Sequence, residues 1–243
     1  MSFQRNTVLE IVKQAMGELG LTQPTAVVGN SDLNVVQFFT LLKSAIDEVA
    51  SGHQWEQLSK EHTFTTVSST ESYALPSDYL NIIDETQWDR TNDWPLLGPL
   101  PASSWQTLKS GNFTGGLRAK FRLKRGRVFI HPVPTAAENF VYEYVSNKYI
   151  LKVSGSDTNE NDFASVITDD GDTPFLDWWL LVKFIKLKFW EPNGFDPTSF
   201  RDDFINKCEQ VIGRAGAPRL SLVAQNNSYL LNIGNIPETG YGS

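Results

Sequence analysis

Cysteine, histidine and long apolar runs are all scarce in this chain. The single cysteine, Cys208, cannot form a disulfide within the chain, and one free thiol suits folding in a reducing cytoplasm. The three histidines, His53, His62 and His131, are scattered and show no metal-ligand spacing such as a His-Glu-x-x-His helix. No glycine-rich phosphate loop, nucleophile elbow, internal repeat or low-complexity tract occurs. The longest apolar run, Phe175 to Trp190, is broken by Asp177, Lys183, Lys186 and Lys188. It is also shorter than the roughly 20 residues of a membrane span. Met-Ser-Phe-Gln-Arg leads into no apolar signal core, so secretion by that route is not expected, and the chain reads as soluble with no membrane partner.

Cationic excess is missing as well. A formal net charge of −7 argues against a protein that coats nucleic acid without sequence preference, although it leaves room for a local basic strip. These absences leave no catalytic constellation. Asp84 with Glu85, or Asp78 with Asp84, brings two carboxylates near in sequence without the opposed geometry a glycosidase needs. Cys208 falls on the apolar face of a helix and reads as core. The expectation is a chain that is not an enzyme and has no catalytic residue, cofactor or metal.

Aromatic residues are plentiful, with seven Trp and fifteen Phe in 243 residues. Any one of them is first a core residue, but the number raises the prospect of aromatic interfaces. The length allows one large domain or two small ones.

Periodicity divides the chain into four segments. Residues 1–53 read as a helical pair. Val8, Ile11, Val12, Ala15 and Leu19 recur at helical spacing before Gly20. A linker from Thr22 to Ser31 follows. Asp32 or Ser31 then caps a longer helix with Val35, Phe38, Leu42, Ala45, Ile46 and Val49 on one face, ended by Gly52. Residues 54–173 change to alternation. Glu61 to Val67 and Ser72 to Leu75 read as a hairpin around Ser68-Ser69-Thr70. Four more strands are expected at Ile82–Trp88, Leu117–Lys124, Arg127–His131 and Phe140–Ser146, with a short helix at Ser103–Leu108. A tight turn at Lys124-Arg125-Gly126-Arg127 places Gly where positive φ is needed. From Ile150 to Thr173 a long acidic surface loop is expected, with a short strand at Ala164–Thr168. Residues 174–215 return to helices, one opened by Pro174 and broken at Glu191-Pro192-Asn193-Gly194. The next starts at Pro197 with Phe200, Phe204, Cys208, Val211 and Ile212 on one face. Residues 216–243 show no convincing helix and read as an extended C-terminal arm.

The pattern makes an α+β fold: terminal helices form a bundle, and an antiparallel β-sandwich or barrel-like module is inserted between them. The Phe175–Trp190 helix is apolar nearly all round. It is either a plain central core helix or one with two apolar faces, the second packing on a neighbouring chain or on the β module.

The strongest charge feature is Arg118, Lys120, Arg122 and Lys124, followed by Arg125 and Arg127. Cations at alternate positions share one strand face while Ala119, Phe121 and Leu123 share the other. Such a row fits an anionic partner, either a phosphate backbone or a carboxylate-rich protein surface, or else a solvated face that protects an edge strand. Asp157, Glu160, Asp162, Asp169, Asp170 and Asp172 fall in one loop whose span from 157 to 172 contains no Lys or Arg. They offer an acidic loop that meets the basic strand of a neighbour, or that is simply solvated. Asp169-Asp170-Gly171-Asp172 lacks the spaced ligands and distal Glu of an EF-hand loop.

Three stretches carry a family resemblance: the helix end at Gly52-His53-Gln54-Trp55, the turn Leu75-Pro76-Ser77-Asp78-Tyr79, and the aromatic helix Phe175 to Phe189. In these and in the order of elements, the chain resembles the head-to-tail adaptor (connector, or tail tubular protein A-like) family of short-tailed bacteriophages. The resemblance implies a virion protein made in the host cytoplasm. It implies a homo-oligomeric ring of about twelve copies beneath the portal protein, above a tail nozzle or hub, around the channel of the genomic DNA. Contact with passing DNA would be transient and non-specific. On this reading the C-terminal arm, with Leu220, Leu222, Val223, Tyr229, Leu230, Leu231, Ile233 and Ile236, orders against the portal or a neighbouring subunit. Rival readings are a carbohydrate- or receptor-binding virion module stacking ligands on Trp88, Trp94 and Trp105, a dedicated nucleic-acid binder, and another connector-layer protein such as a stopper.

Overall fold

Apolar residues three and four apart build two opening helices, α1 (Val8–Glu18) and α2 (Leu33–Gly52). Each starts on a side-chain cap: Thr7 accepts from the Glu10 amide, and Asp32 accepts from the Asn34 amide. The computed structural model of the protein describes residues 5–111, 118–191 and 196–214. The C-terminal arm expected over 216–243 and the helix break at 192–194 lie outside the described residues.

Two further helices complete the bundle, α4 (Trp178–Trp190) and α5 (Thr198–Arg214); α3 is the short helix Ala102–Ser110. The sequence pattern opens this helix at Pro174. It begins four residues later, because Pro174 is paired in a strand and Asp177 caps the helix by accepting from the Leu180 amide. Leu180, Leu181, Val182 and Ile185 of α4 are wholly buried. The helix packs on α1, α2 and α5, so both of its apolar sides are covered by its own chain. Val211 and the half-buried Phe204, Cys208 and Ile212 supply the α5 side, and the rings of Phe184 and Phe204 stack at 4.4 Å.

Between the helical pairs lie the strands β1 (Ser59–Thr65), β2 (Ser72–Ala74), β3 (Tyr79–Ile82), β4 (Trp88–Asp89), β5 (Trp94–Pro95), β6 (Lys120–Lys124), β7 (Arg127–His131) and β8 (Asn139–Ser146). In the five-stranded sheet β8 pairs with β1, β3 and β4, and β4 pairs with β5. A second sheet has the order β2-β7-β6. Both sheets contribute to one core: Ile82, Phe140, Tyr142 and Tyr144 from the first meet Phe121, Val128 and Ile130 from the second. Two open antiparallel sheets therefore face each other as a sandwich, and neither closes into a barrel among the described residues.

Two expected strand pairings differ. The runs on either side of Ser68-Ser69-Thr70 do not form a hairpin with each other. Instead β1 pairs with β8 and β2 with β7, so the turn carries the chain from one sheet to the other. The stretch Ile82–Trp88 is not one strand; it is the end of β3, a turn with Glu85 at φ 64°, and the start of β4. By contrast, β6 and β7 form the expected hairpin, with Arg125 and Gly126 both at positive φ, as a two-residue turn requires.

The segment after β8 is folded more tightly than a surface loop. It forms a small sheet from β9 (Ile150–Leu151), β10 (Phe163–Ala164) and β11 (Thr173–Pro174), with β9 central. The expected strand at Ala164–Thr168 is thus shifted to Phe163–Ala164, and Ile167 is buried against the helical core.

Candidate functional site

The β6–β7 hairpin shows its cations outward. Phe121 is buried in the sandwich core, so Lys120, Arg122 and Lys124 at alternate positions lie on the outer side of the sheet. Register puts Lys124 opposite Arg127, Arg122 opposite Phe129 and Lys120 opposite His131. Arg118, Lys124, Arg125 and Arg127 are exposed, while Lys120 and Arg122 are half-buried. Arg127 donates to Ser72 Oγ at 3.2 Å and to the Ser72 carbonyl at 2.9 Å. Arg118 lies 5.6 Å from the centre of the Trp94 ring.

Among the described residues, no carboxylate lies within ion-pair distance of Arg118, Lys120, Arg122, Lys124 or Arg125. The helical cations Lys183, Lys186, Lys188, Arg201 and Lys207 differ in each having one. Lys43, Lys148 and Lys152 also lack a carboxylate among the described residues, but they are scattered, whereas these five fall within one short stretch at and before the hairpin. The outer edge of β6 is not open for strand addition where it starts. The Leu97 amide donates to the Ala119 carbonyl at 3.1 Å, and the Phe121 amide donates to the Leu97 carbonyl at 3.0 Å. Any partner must meet side chains there.

The acidic segment has a different character. Asp170 takes the Val27 amide on both oxygens, at 3.0 and 3.1 Å, and the Val28 amide at 2.7 Å. Its carbonyl also accepts from the Leu9 amide in the first turn of α1. Asp172 is buried and receives the amides of Val153, Thr168 and Asp169, and its carbonyl accepts from the Val8 amide. These two residues clamp α1 and the α1–α2 linker to the small sheet, satisfying helix N–H groups that would otherwise lack partners. Asp162 accepts from the Ser156 amide and Asp169 from the Gly171 amide. Asp157 pairs with Arg5 at 3.1 Å and Glu160 with Lys60 at 3.2 Å. All six carboxylates are engaged within their own chain, and Glu160 is the most exposed of the paired ones.

Lys60 leads to a buried network that sequence reasoning missed. Its ammonium lies 3.1 Å from Asp78, which also accepts from the Tyr144 hydroxyl and the Ser146 hydroxyl, each at 2.9 Å. Burial pushes the Asp78 carboxyl up, but these three hydrogen bonds outweigh it and hold the pKa below the ordinary aspartate value. Burial and the bond to Asp78 push the Tyr144 hydroxyl up. The Asn147 amide donates to the Asp78 carbonyl at 2.8 Å. The turn Leu75-Pro76-Ser77-Asp78-Tyr79 is thereby fastened to β1 and β8. Asp78 in a network of this kind is a structural anion, not one half of a carboxylate pair with the exposed Asp84.

The three tryptophans form no common platform. Trp105 is 4% exposed, wedged between α3 and the β2-β7-β6 sheet with its ring edge-on to His131. Trp88 and Trp94 are exposed, but Trp88 pairs with Pro95 and Asp89 with Trp94, so the two rings leave opposite faces of the β4–β5 ladder. Among the described residues, no group of three or more His, Cys, Asp or Glu side chains is placed to hold a metal ion, and no helix is long and apolar enough to cross a membrane. The arm residues from Leu220 to Ile236 lie outside the described residues.

The opposite side of the sandwich is acidic. Glu61 of β1 and Glu143 of β8 stand directly opposite each other in register and both are exposed. Alternation alone places each on an outer face, but their pairing spans distant parts of the chain and could not be read from local sequence.

A family model described as SU10 adaptor protein matches residues 6–188, which takes in α1, α2, the whole β module and nearly all of α4. No curated protein matches the chain.

Proposed function

The chain belongs to the SU10 adaptor protein family, a family of phage structural adaptors, and from that premise we propose that it forms the ring joining capsid to tail. About twelve copies would sit beneath the portal protein and above a nozzle or hub, surrounding the channel through which the genome leaves. The observation that carries this reading is the family match across residues 6–188, because it covers α1, α2, the sandwich and nearly all of α4 together, leaving only α5 of the bundle outside it.

The work of such a ring is mechanical. It needs a rigid subunit, and the Asp170–Asp172 clamp and the Asp78 network tie the helices and sheets of this one into fixed positions. It also needs a lumen that releases DNA. The net charge of −7 supports that requirement, since a cationic lining would hold phosphates tightly. The unpaired β6–β7 cations belong, on this reading, at a contact with protein. Of the acidic segment, Asp157, Glu160 and Asp169 are exposed enough to reach a neighbour, the first two as well as their own cations. The arm from Gly216 to Ser243 is assigned to the portal.

Co-sedimentation of the purified chain with the portal protein of its own virus tests the reading. Images of the sedimented complex should show a closed ring beneath the portal. A chain that stays at the top of the gradient as a monomer would overturn it. Deleting Gly216 to Ser243 should abolish portal binding, and undiminished binding would remove the arm from the account.

A further inference from the structure

The two outer faces of the sandwich carry opposite charge. On the β1–β8 side, Glu61 and Glu143 are direct cross-strand neighbours, an arrangement in which like charges repel. Arg90 reaches Glu61 at 3.3 Å, and among the described residues no cation is within ion-pair distance of Glu143. The turn between β3 and β4 adds the exposed Asp84 and Glu85 beside it, held there because Thr86 Oγ1 accepts from the Glu143 amide at 3.0 Å. On the far side of the shared core, Lys120, Arg122 and Lys124 form the row without carboxylates; α3 adjoins its Lys120 end, where the Trp105 ring lies edge-on to His131, the cross-strand neighbour of Lys120. Glu71, which precedes β2 of the same sheet, is held by Lys109 of α3.

Each face alone has an unfavourable excess of one sign, and the two excesses point away from each other. Nothing within one chain can join them, because Phe64, Phe140 and Tyr142 with Phe121, Val128 and Ile130 lie between. A nucleic acid would satisfy the basic face and leave the acidic one as it is. A second copy of the same chain satisfies both.

We propose that the sandwich modules of neighbouring copies stack face to face, Lys120, Arg122 and Lys124 of one docking against Glu61, Glu143 and Glu85 of the next. The inference rests on the ring reading and names a contact that holds it together. The contact is heterologous, since two acidic or two basic faces repel, so it propagates in one direction around a ring and disfavours closed two-fold dimers. Trp88, 39% exposed on the acidic face, lies where an arriving guanidinium would meet its ring.

A charge-swap series tests the contact. Lys120→Glu with Arg122→Glu reverses one face, Glu61→Lys with Glu143→Lys reverses the other, and a third variant carries all four changes. Glu61 and Glu143 are exposed and Lys120 and Arg122 half-buried, so circular dichroism and melting first establish that each variant folds. Loading onto the portal is measured by co-sedimentation at about 0.1 M salt, where charges on protein surfaces still act over about 10 Å. Each single-face variant should need about tenfold more protein to load, and the four-fold variant should return to within a few-fold of wild type. Wild-type-like loading by both single-face variants would overturn the proposed contact and leave the adaptor reading standing, as would a folded four-fold variant that is not restored. A basic-face variant that loads normally but loses DNA affinity would overturn it in favour of nucleic acid. Failure of wild type itself to load would overturn the adaptor reading and this contact together.

Discussion

Asp78 accepts a hydrogen bond from the Tyr144 hydroxyl at 2.9 Å, across 66 residues of chain, inside the sandwich. With Lys60 and Ser146 on its other oxygen, Asp78 joins the Leu-Pro-Ser-Asp-Tyr turn to the two longest strands. Replacing it with Ala leaves a half-buried ammonium that keeps only Glu160, and two hydroxyls without an acceptor. The expected cost is about 2–4 kcal/mol, or a melting temperature lower by roughly 5–10 °C, read by calorimetry. A shift under a degree would show that the network contributes little.

The same group makes stability depend on pH in a defined direction. The folded pKa of Asp78 lies below its unfolded value, so the stabilisation is fully present above the ordinary aspartate pKa of 3.8 and is lost as pH falls through the folded value. Glu18, paired with Lys186 at 2.5 Å, acts in the same direction from its ordinary 4.5. Urea midpoints should be flat near neutrality and fall below about pH 4. The Asp78→Asn protein should show a shallower fall, and an unchanged slope would contradict the assignment.

Asp170 supports the junction of α1 and the linker. Asp170→Ala removes the acceptor of the Val27 and Val28 amides and should cost about 1–3 kcal/mol. Hydrogen exchange at those two amides should rise well beyond the change at core amides such as Ile185. Retained protection at Val27 and Val28 would show that another group holds the linker.

Trp105 and Trp94 separate packing from surface. Trp105→Ala empties a site that is 4% exposed and should cost about 3 kcal/mol or more. Trp94→Ala, at 51% exposed, should stay within about 1 kcal/mol of wild type in a denaturant melt. Equal costs would mean that Trp94 is packed more tightly than its exposure indicates.

The elements whose cause is local were legible in the sequence. Val8 to Leu19 and Val35 to Val49 carry their helical period, Asp32 its cap, and Arg125-Gly126 its turn, and each occurs where the residues place it. What failed was partner choice. Alternation from Glu61 to Val67 marks a strand, but its mate, β8, lies some eighty residues on, and a plausible turn at Ser68–Thr70 pointed to the wrong neighbour. The start of α4 was misplaced because Pro174 and Asp177 are both sound openers, and pairing of Pro174 in a small sheet decided between them. The acidic segment read as exposed because its residues are charged. Asp170 and Asp172 instead face backbone amides brought from 142 and 19 residues away. The basic row was visible from alternation alone, whereas its acidic counterpart on β1 and β8 required the cross-strand register.

A ring-forming adaptor between portal and tail, as we propose this chain to be, binds one portal ring in many copies. Native mass spectrometry of the full chain mixed with the portal protein of its virus measures that directly. One dominant complex is expected, in which about twelve adaptor copies are bound to each portal ring. A spectrum holding only free chain and bare portal would contradict it.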